Sequence, residues 1–165
     1  MKNIYLSLGS NHDNPSRRLE EAILLLKADP RFEIIKISRQ YITTPEEDTD
    51  QPDFLNCVLH MRSAISPSDL LAATQAIERQ MGRRKSRVNG PRCIDIDIVI
   101  AGEEIIDSPA LQIPHPRMHL RRFVLVPLLE IDPDLCHPVS NHTVTEMLDM
   151  LSLDKPTRVE PVCQK

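Results

Sequence analysis

Arg92-Cys93-Ile94-Asp95-Ile96-Asp97-Ile98-Val99-Ile100 alternates acidic and apolar side chains along its middle. Successive residues of a strand point to opposite faces, so Ile94, Ile96 and Ile98 line one face and Asp95 and Asp97 the other. A strand is therefore expected over residues 93–101. The basic segment 83–92 leads into it, and a helix precedes that segment. Ser66 is its cap, Pro67 its first residue and Asp69 lies near its third position; Leu70, Ala73, Ile77 and Met81 form the apolar stripe, and Gly82 stops it. Upstream, residues 32–42 and 54–64 are rich in β-branched and aromatic residues without internal proline. They read as two strands joined by a Thr/Pro/acidic loop. An earlier helix has Asn14 as cap, Pro15 at its first position and Leu19, Ala22, Ile23 and Leu26 as its stripe, and Pro30 closes it. Before it, Ile4, Leu6 and Leu8 alternate in a strand that ends at Gly9-Ser10-Asn11.

Strand, helix, strand, strand, helix, strand is the split βαβ order. It predicts an α+β fold with a ferredoxin-like βαββαβ core, an antiparallel sheet carrying both helices on one face. The proline-rich remainder from Pro109 onward predicts short helices and loops, with residues 123–129 and 144–151 helical. Laid on the sheet's other face, they would complete a three-layer α-β-α arrangement. No internal repeat, linker or low-complexity run divides the chain, and 165 residues with 41% apolar content fit a single domain, 1–165.

A net charge of −4 lacks the broadly basic balance of nucleic-acid and anionic-membrane binders, so neither is an expected partner. Cys57, Cys93, Cys136 and Cys163 are scattered, with no CxxC pair or zinc-site spacing, and read as reduced thiols of a cytoplasmic protein. The amino terminus lacks a signal-peptide apolar run, and no run of apolar residues is of membrane-spanning length. The sequence leaves protein partners open.

Two carboxylates on one strand face repel one another in a partly desolvated cleft and call for a cation. Mg²⁺ prefers paired oxygen ligands completed by phosphate. Taken alone, the alternation also fits an ordinary strand with one wet face. The neighbourhood is what distinguishes it. Arg79, Arg83, Arg84, Lys85, Arg87 and Arg92 precede the aspartates with no acidic residue among positions 79–92. An anion site beside a metal site is how proteins hold a metal-bound polyphosphate, and guanidinium forks match phosphate oxygens. With four glycines and neither GxxxxGK[ST] nor GxGxxG, the chain has no glycine-rich phosphate cradle, so ATP would be held by side chains and metal. Gln75 and Glu78, three apart, are placed on one helix face near the basic segment, where surface solubility is the plain alternative. Phe54 and Phe123 are core residues by default. If both reached one cleft they would sandwich a flat heterocycle, whose polar edge Asn56 could read with an amide that donates and accepts. His12, His60, His119, His137 and His142 are left as surface or core residues, and no general base stands out.

Gly90-Pro91-Arg92-Cys93-Ile94-Asp95-Ile96-Asp97-Ile98-Val99 resembles the GPRxxDxDhh signature, h being apolar, of the 6-hydroxymethyl-7,8-dihydropterin pyrophosphokinase family. Three further blocks resemble the family in the same order: Leu8-Gly9-Ser10-Asn11, Gln51-Pro52-Asp53-Phe54-Leu55-Asn56, and Ile113-Pro114-His115-Pro116-Arg117-Met118 with Arg121, Phe123, Pro127 and Leu128. The resemblance covers roughly residues 2–150. It implies diphosphate transfer from ATP to 6-hydroxymethyl-7,8-dihydropterin in folate biosynthesis, with two Mg²⁺ ions bridged by Asp95 and Asp97. It implies a pterin stacked between Phe54 and Phe123 with polar contacts from Asn56 and Thr43. It implies phosphate contacts from Arg83, Lys85, Arg92, His115 and Arg121, of which Arg83 and Arg92 serve catalysis, and a nucleotide pocket lined by Gln75, Glu78, Ile98 and Leu111. The chain departs from the family pattern at Val88 and Asn89, where a basic and an aromatic residue are common, and in its more acidic 46–50 segment. Another Mg²⁺-dependent phosphoryl or nucleotidyl transferase using DxD, a ferredoxin-like RNA-binding module and an inactive homologue are the competing readings. The RNA module would display aromatics on its central strands, and the first strand offers only Tyr5.

Overall fold

In the computed structural model, which describes residues 1–45, 50–82, 93–151 and 158–162, the elements run β1 (Lys2–Ser10), α1 (Pro15–Ala28), β2 (Glu33–Ile37), β3 (Tyr41–Thr43), β4 (Phe54–Ser63), α2 (Pro67–Gln80), β5 (Asp95–Ala101), β6 (Ile106–Asp107), β7 (Gln112–Ile113), α3 (Arg122–Ile131), α4 (Val144–Met150) and β8 (Val159–Pro161). The helix caps act where the sequence places them. The Asn14 side chain accepts from Arg17 N, the Ser66 side chain accepts from Asp69 N, and proline opens both helices. Asn14 takes a left-handed conformation, φ 57°, which asparagine tolerates better than most residues.

The main sheet runs β5-β1-β4-β3-β8, with β2 also on β4, and every pairing is antiparallel. One apolar layer packs Leu19, Ala22, Leu26, Leu70, Ala73 and Ile77 of α1 and α2 against Ile4, Leu6, Leu8, Leu59, Met61, Ile96 and Ile98. A second layer packs Val124, Leu125, Leu128, Val144 and Met147 of α3 and α4 against Tyr5, Val58, Val99 and Ile100 on the opposite face. Each fully buried leucine contributes about 2 kcal/mol from apolar burial, so both layers hold the sheet firmly. The α-β-α expectation thus describes the molecule. Tyr5, 2% exposed under the second layer, is no surface platform for base stacking. No helix among the described residues is long and apolar enough to cross a membrane.

Three local expectations are corrected. The strand expected over 32–42 is two strands, because Ser38 interrupts the ladder: Ser38 N donates to Val58 O at 2.9 Å while Val58 N donates to Ser38 Oγ at 2.9 Å. The strand expected from Cys93 begins at Asp95. Near the carboxyl end, where only loops and short helices were expected, β8 adds an edge to the main sheet.

Candidate active site

Strand register assembles the site. Asp97 lies opposite Ser7 and Asp95 opposite Gly9. Gly9 also lies opposite Asn56, Asn56 opposite Tyr41, and Phe54 opposite Thr43. Directly paired residues share a face, so the aspartates, Asn56, Thr43 and Phe54 all face the α3 side. Two strand spacings separate Asp95 from Asn56, about 10 Å. Asn56 is 4% exposed and its Nδ2 donates to Thr43 Oγ1 at 2.7 Å. A Cβ on Gly9 would lie 2.6 Å from Asn56 Oδ1, so the amide occupies the space a side chain would take. Glycine is needed here for close approach rather than for backbone freedom.

The turn after β1 ties down both segments flanking the site. Ser10 Oγ donates to Cys93 O at 2.7 Å, fixing the approach to β5. Asn11 Nδ2 donates to Gln51 Oε1 at 2.9 Å and to Pro52 O at 3.2 Å, fixing the approach to β4. The motif itself carries no sign of this tethering, which depends on partners 83 and 40 positions away.

Over the aspartates lies the segment from β7 into α3, hung on β5 by His115 N donating to Val99 O at 2.8 Å. It brings Arg121 Nη1 to 3.4 Å from Asp97 Oδ2 and His115 Nε2 to 3.9 Å from the same oxygen. Arg121 Nε is buried without a hydrogen-bond partner among the described residues, and the guanidinium carbon lies 5.3 Å from the centroid of the half-buried Phe123 ring. A buried cation with a donor to spare suits an anion such as phosphate. Burial, then Arg121 and Arg117, push the His115 pKa down from 6.5 to about 4, so the ring is neutral near pH 7. His115 Nδ1 lies 3.1 Å from Arg117 N and Nε2 lies 3.3 Å from Arg121 Nη1, so both ring nitrogens face donors.

Because the folded ring resists protonation while the unfolded ring does not, stability contributed by neutral His115 is lost as pH falls from about 6.5 to about 4. In urea titrations of the metal-free protein, His115→Gln is expected to flatten the fall in stability across that window. An unchanged pH dependence would contradict the burial of a neutral ring.

A cleft of about 260 Å³ opens beside Asp97, lined by Leu71, Ile96, Ile98, Leu111, His115 and Pro116 among others. That is near the lower end for small-ligand sites, roughly 300 Å³. Ile98 and Leu111 both line this cleft. Gln75 and Glu78 do not share an environment: Gln75 is exposed, whereas Glu78 is 6% exposed and accepts from Ile96 N at 2.8 Å. Three residues of helix leave an offset of about 60°, enough to turn one outward and the other under the sheet. Glu78 therefore anchors the backbone between the two aspartates. Glu78→Leu would strand the Ile96 amide and cost about 1–3 kcal/mol. Chemical denaturation should show that loss, with most of it recovered in Glu78→Gln, which retains an acceptor; equal losses in both would argue against the hydrogen bond. Arg83, Lys85, Arg92, Val88 and Asn89, like positions 46–49 of the acidic segment, lie outside the described residues.

Two half-buried carboxylates on neighbouring positions of one strand face form a hard, all-oxygen donor set. No group of three or more His, Cys, Asp or Glu among the described residues could hold a metal unaided. The set fits Mg²⁺, which typically takes one or two carboxylates and completes its shell with water and substrate phosphate.

Residues 5–133 match the family model for 7,8-dihydro-6-hydroxymethylpterin-pyrophosphokinase. The 2-amino-4-hydroxy-6-hydroxymethyldihydropteridine pyrophosphokinase of Haemophilus influenzae is 36% identical over 157 residues, covering 95% of this chain and 98% of the relative. That of Pseudomonas aeruginosa is 38% identical over 142 residues, covering 86% and 88%. The folic acid synthesis protein fol1 of Schizosaccharomyces pombe is 42% identical over 147 residues, and the match covers 89% of this chain but 20% of that protein. A crystal structure of wild-type Plasmodium falciparum HPPK-DHPS with pteroate has a TM-score of 0.72 at 16% identity, covering 90% of this chain and 44% of that one, which is a likeness of fold.

Proposed function

Because the chain belongs to the 7,8-dihydro-6-hydroxymethylpterin-pyrophosphokinase family, we propose that its 165 residues form one catalytic domain that transfers diphosphate from ATP to the hydroxymethyl group of 6-hydroxymethyl-7,8-dihydropterin in the cytoplasm, releasing AMP. The observation that carries this reading is the row across the sheet. The Asp95/Asp97 pair stands at one end with Arg121 and His115 over it, and the Asn56–Thr43 amide site stands two strands away on the same face.

Asp95 and Asp97 would hold Mg²⁺, which when bound neutralises and orients the polyphosphate. Ile98 and Leu111 give the nucleotide an apolar wall. Arg121, with its buried Nε, donates to phosphate oxygens and neutral His115 beside it contacts them; the resemblance adds Arg83, Lys85 and Arg92. Asn56 reads the pterin's polar edge with Thr43 holding its amide in orientation, and Phe54 and Phe123 bound the flat faces. The hydroxymethyl oxygen attacks the β-phosphorus, a new P–O bond forms, the bond to the α-phosphate oxygen breaks to leave AMP, and the hydroxyl proton passes to water. Positioning two rigid substrates supplies much of the rate, and the cations stabilise charge on the moving group. Incubation with ATP, Mg²⁺ and the pterin, followed by mass analysis, should give AMP and the pterin diphosphate. ADP or free pyrophosphate as coproduct would point to another transferase.

A further inference from the structure

We propose that the carboxyl-terminal strand β8 positions the pterin site by holding β3 and both ends of the β3–β4 connection, a role that rests on the pyrophosphokinase reading above. The strand lies beyond the residues matched by the family model, which end at 133. Without it, β3 would be a three-residue edge strand carrying Thr43 at its end and paired only with β4.

β8 supplies the second edge. Tyr41, Ile42 and Thr43 lie opposite Pro161, Glu160 and Val159. Thr44 N donates to Arg158 O at 3.3 Å, and Val162 N to Gln40 O at 2.8 Å. Arg158 N returns to Thr44 Oγ1 at 3.2 Å, while Arg158 Nη1 stands 3.7 Å from Asp53 Oδ2. One residue therefore touches Thr44, where the connection leaves β3, and Asp53, beside Phe54 where it enters β4. The guanidinium is half exposed, so its ion pair is weak and the backbone ladder carries the hold. Ile42 and Val162 anchor the arrangement by packing against the α1/α2 core.

The ladder's parity makes the idea testable. In antiparallel pairs hydrogen-bonded positions alternate. Thr44/Arg158 and Gln40/Val162 are bonded, so Ile42/Glu160 between them is bonded too, while the Val159 and Pro161 amides point outward. The native proline at 161 occupies a position that loses no bond. Glu160→Pro breaks the clasp, and Val159→Pro leaves its hydrogen bonds in place.

The sheet order sets β1, β4 and β3 between β8 and the Asp97 cleft on β5, so the effect belongs to the pterin and not to the nucleotide. In the 165-residue chain, Glu160→Pro is expected to speed hydrogen exchange at Ile42 and Thr44. If the competent arrangement is then populated about one-fifth of the time, the dissociation constant for 6-hydroxymethyl-7,8-dihydropterin rises about 5-fold. The constant for an unreactive ATP analogue with Mg²⁺ should stay unchanged, and Val159→Pro should change neither. Thr44→Val, which removes only the Oγ1 acceptor for Arg158 N, should repeat the pattern at about 2-fold and serves if the proline variant does not fold. Faster exchange with unaltered pterin affinity, unaltered exchange, or equal weakening of both ligands would overturn the role of β8. A wild-type protein that binds no pterin would instead strike down the functional reading on which it stands.

Discussion

Asp97→Asn is expected to lower diphosphate transfer by about 10³-fold or more, the scale on which loss of charge stabilisation is felt in phosphoryl transfer. The fold should survive, because the Asp97 side chain is 38% exposed and such surface changes usually shift stability by about 0.5 kcal/mol or less. Without ligand, Asp97 is a counter-ion of Arg121. Neutralising it leaves that cation more available to phosphate, so metal-free ATP binding should hold or tighten while turnover collapses. Steady-state AMP formation and calorimetric ATP binding without Mg²⁺ would show the split. Normal turnover would remove Asp97 from the metal site.

Gly9→Ala should injure the other end of the row. The added Cβ would stand 2.6 Å from Asn56 Oδ1, and the amide can move only by giving up its 2.7 Å bond to Thr43 in a buried setting. Stability should fall by about 1–3 kcal/mol. Pterin affinity should fall about 10- to 100-fold, as expected when a site built to hydrogen-bond its ligand loses that reading. Nucleotide affinity should be unaffected, since the Ile98–Leu111 cleft does not contact Gly9 or Asn56. Calorimetry with each ligand separately would show it, and intact pterin binding would deny Asn56 its role.

The sequence discloses this architecture unevenly, for physical reasons. Periodicity and capping are local, so Asn14-Pro15, Ser66-Pro67 and the Ile94/Ile96/Ile98 alternation mark their elements without knowledge of the rest. The alternation also sets both aspartates on one face. What escapes is non-local. Ser38 breaks the second strand through a hydroxyl bonded 20 residues away, with no glycine or proline to announce it. β8 is three residues long, contains a proline, and exists because β3 offers an edge. Glu78 has a surface residue's chemistry, and its burial follows from an amide 18 positions on. Gly9 reads as a turn residue until register sets Asn56 against it.

The pairing of two acidic side chains with a nucleotide's phosphates through divalent metal is the claim on which the rest depends. A crystal structure with Mg²⁺, an unreactive ATP analogue and the pterin tests it most directly. Both Asp95 and Asp97 should ligate metal that also touches the analogue's phosphates, with Arg121 turned from Asp97 toward those phosphates. Nucleotide bound elsewhere, with both carboxylates bare to solvent, would contradict it.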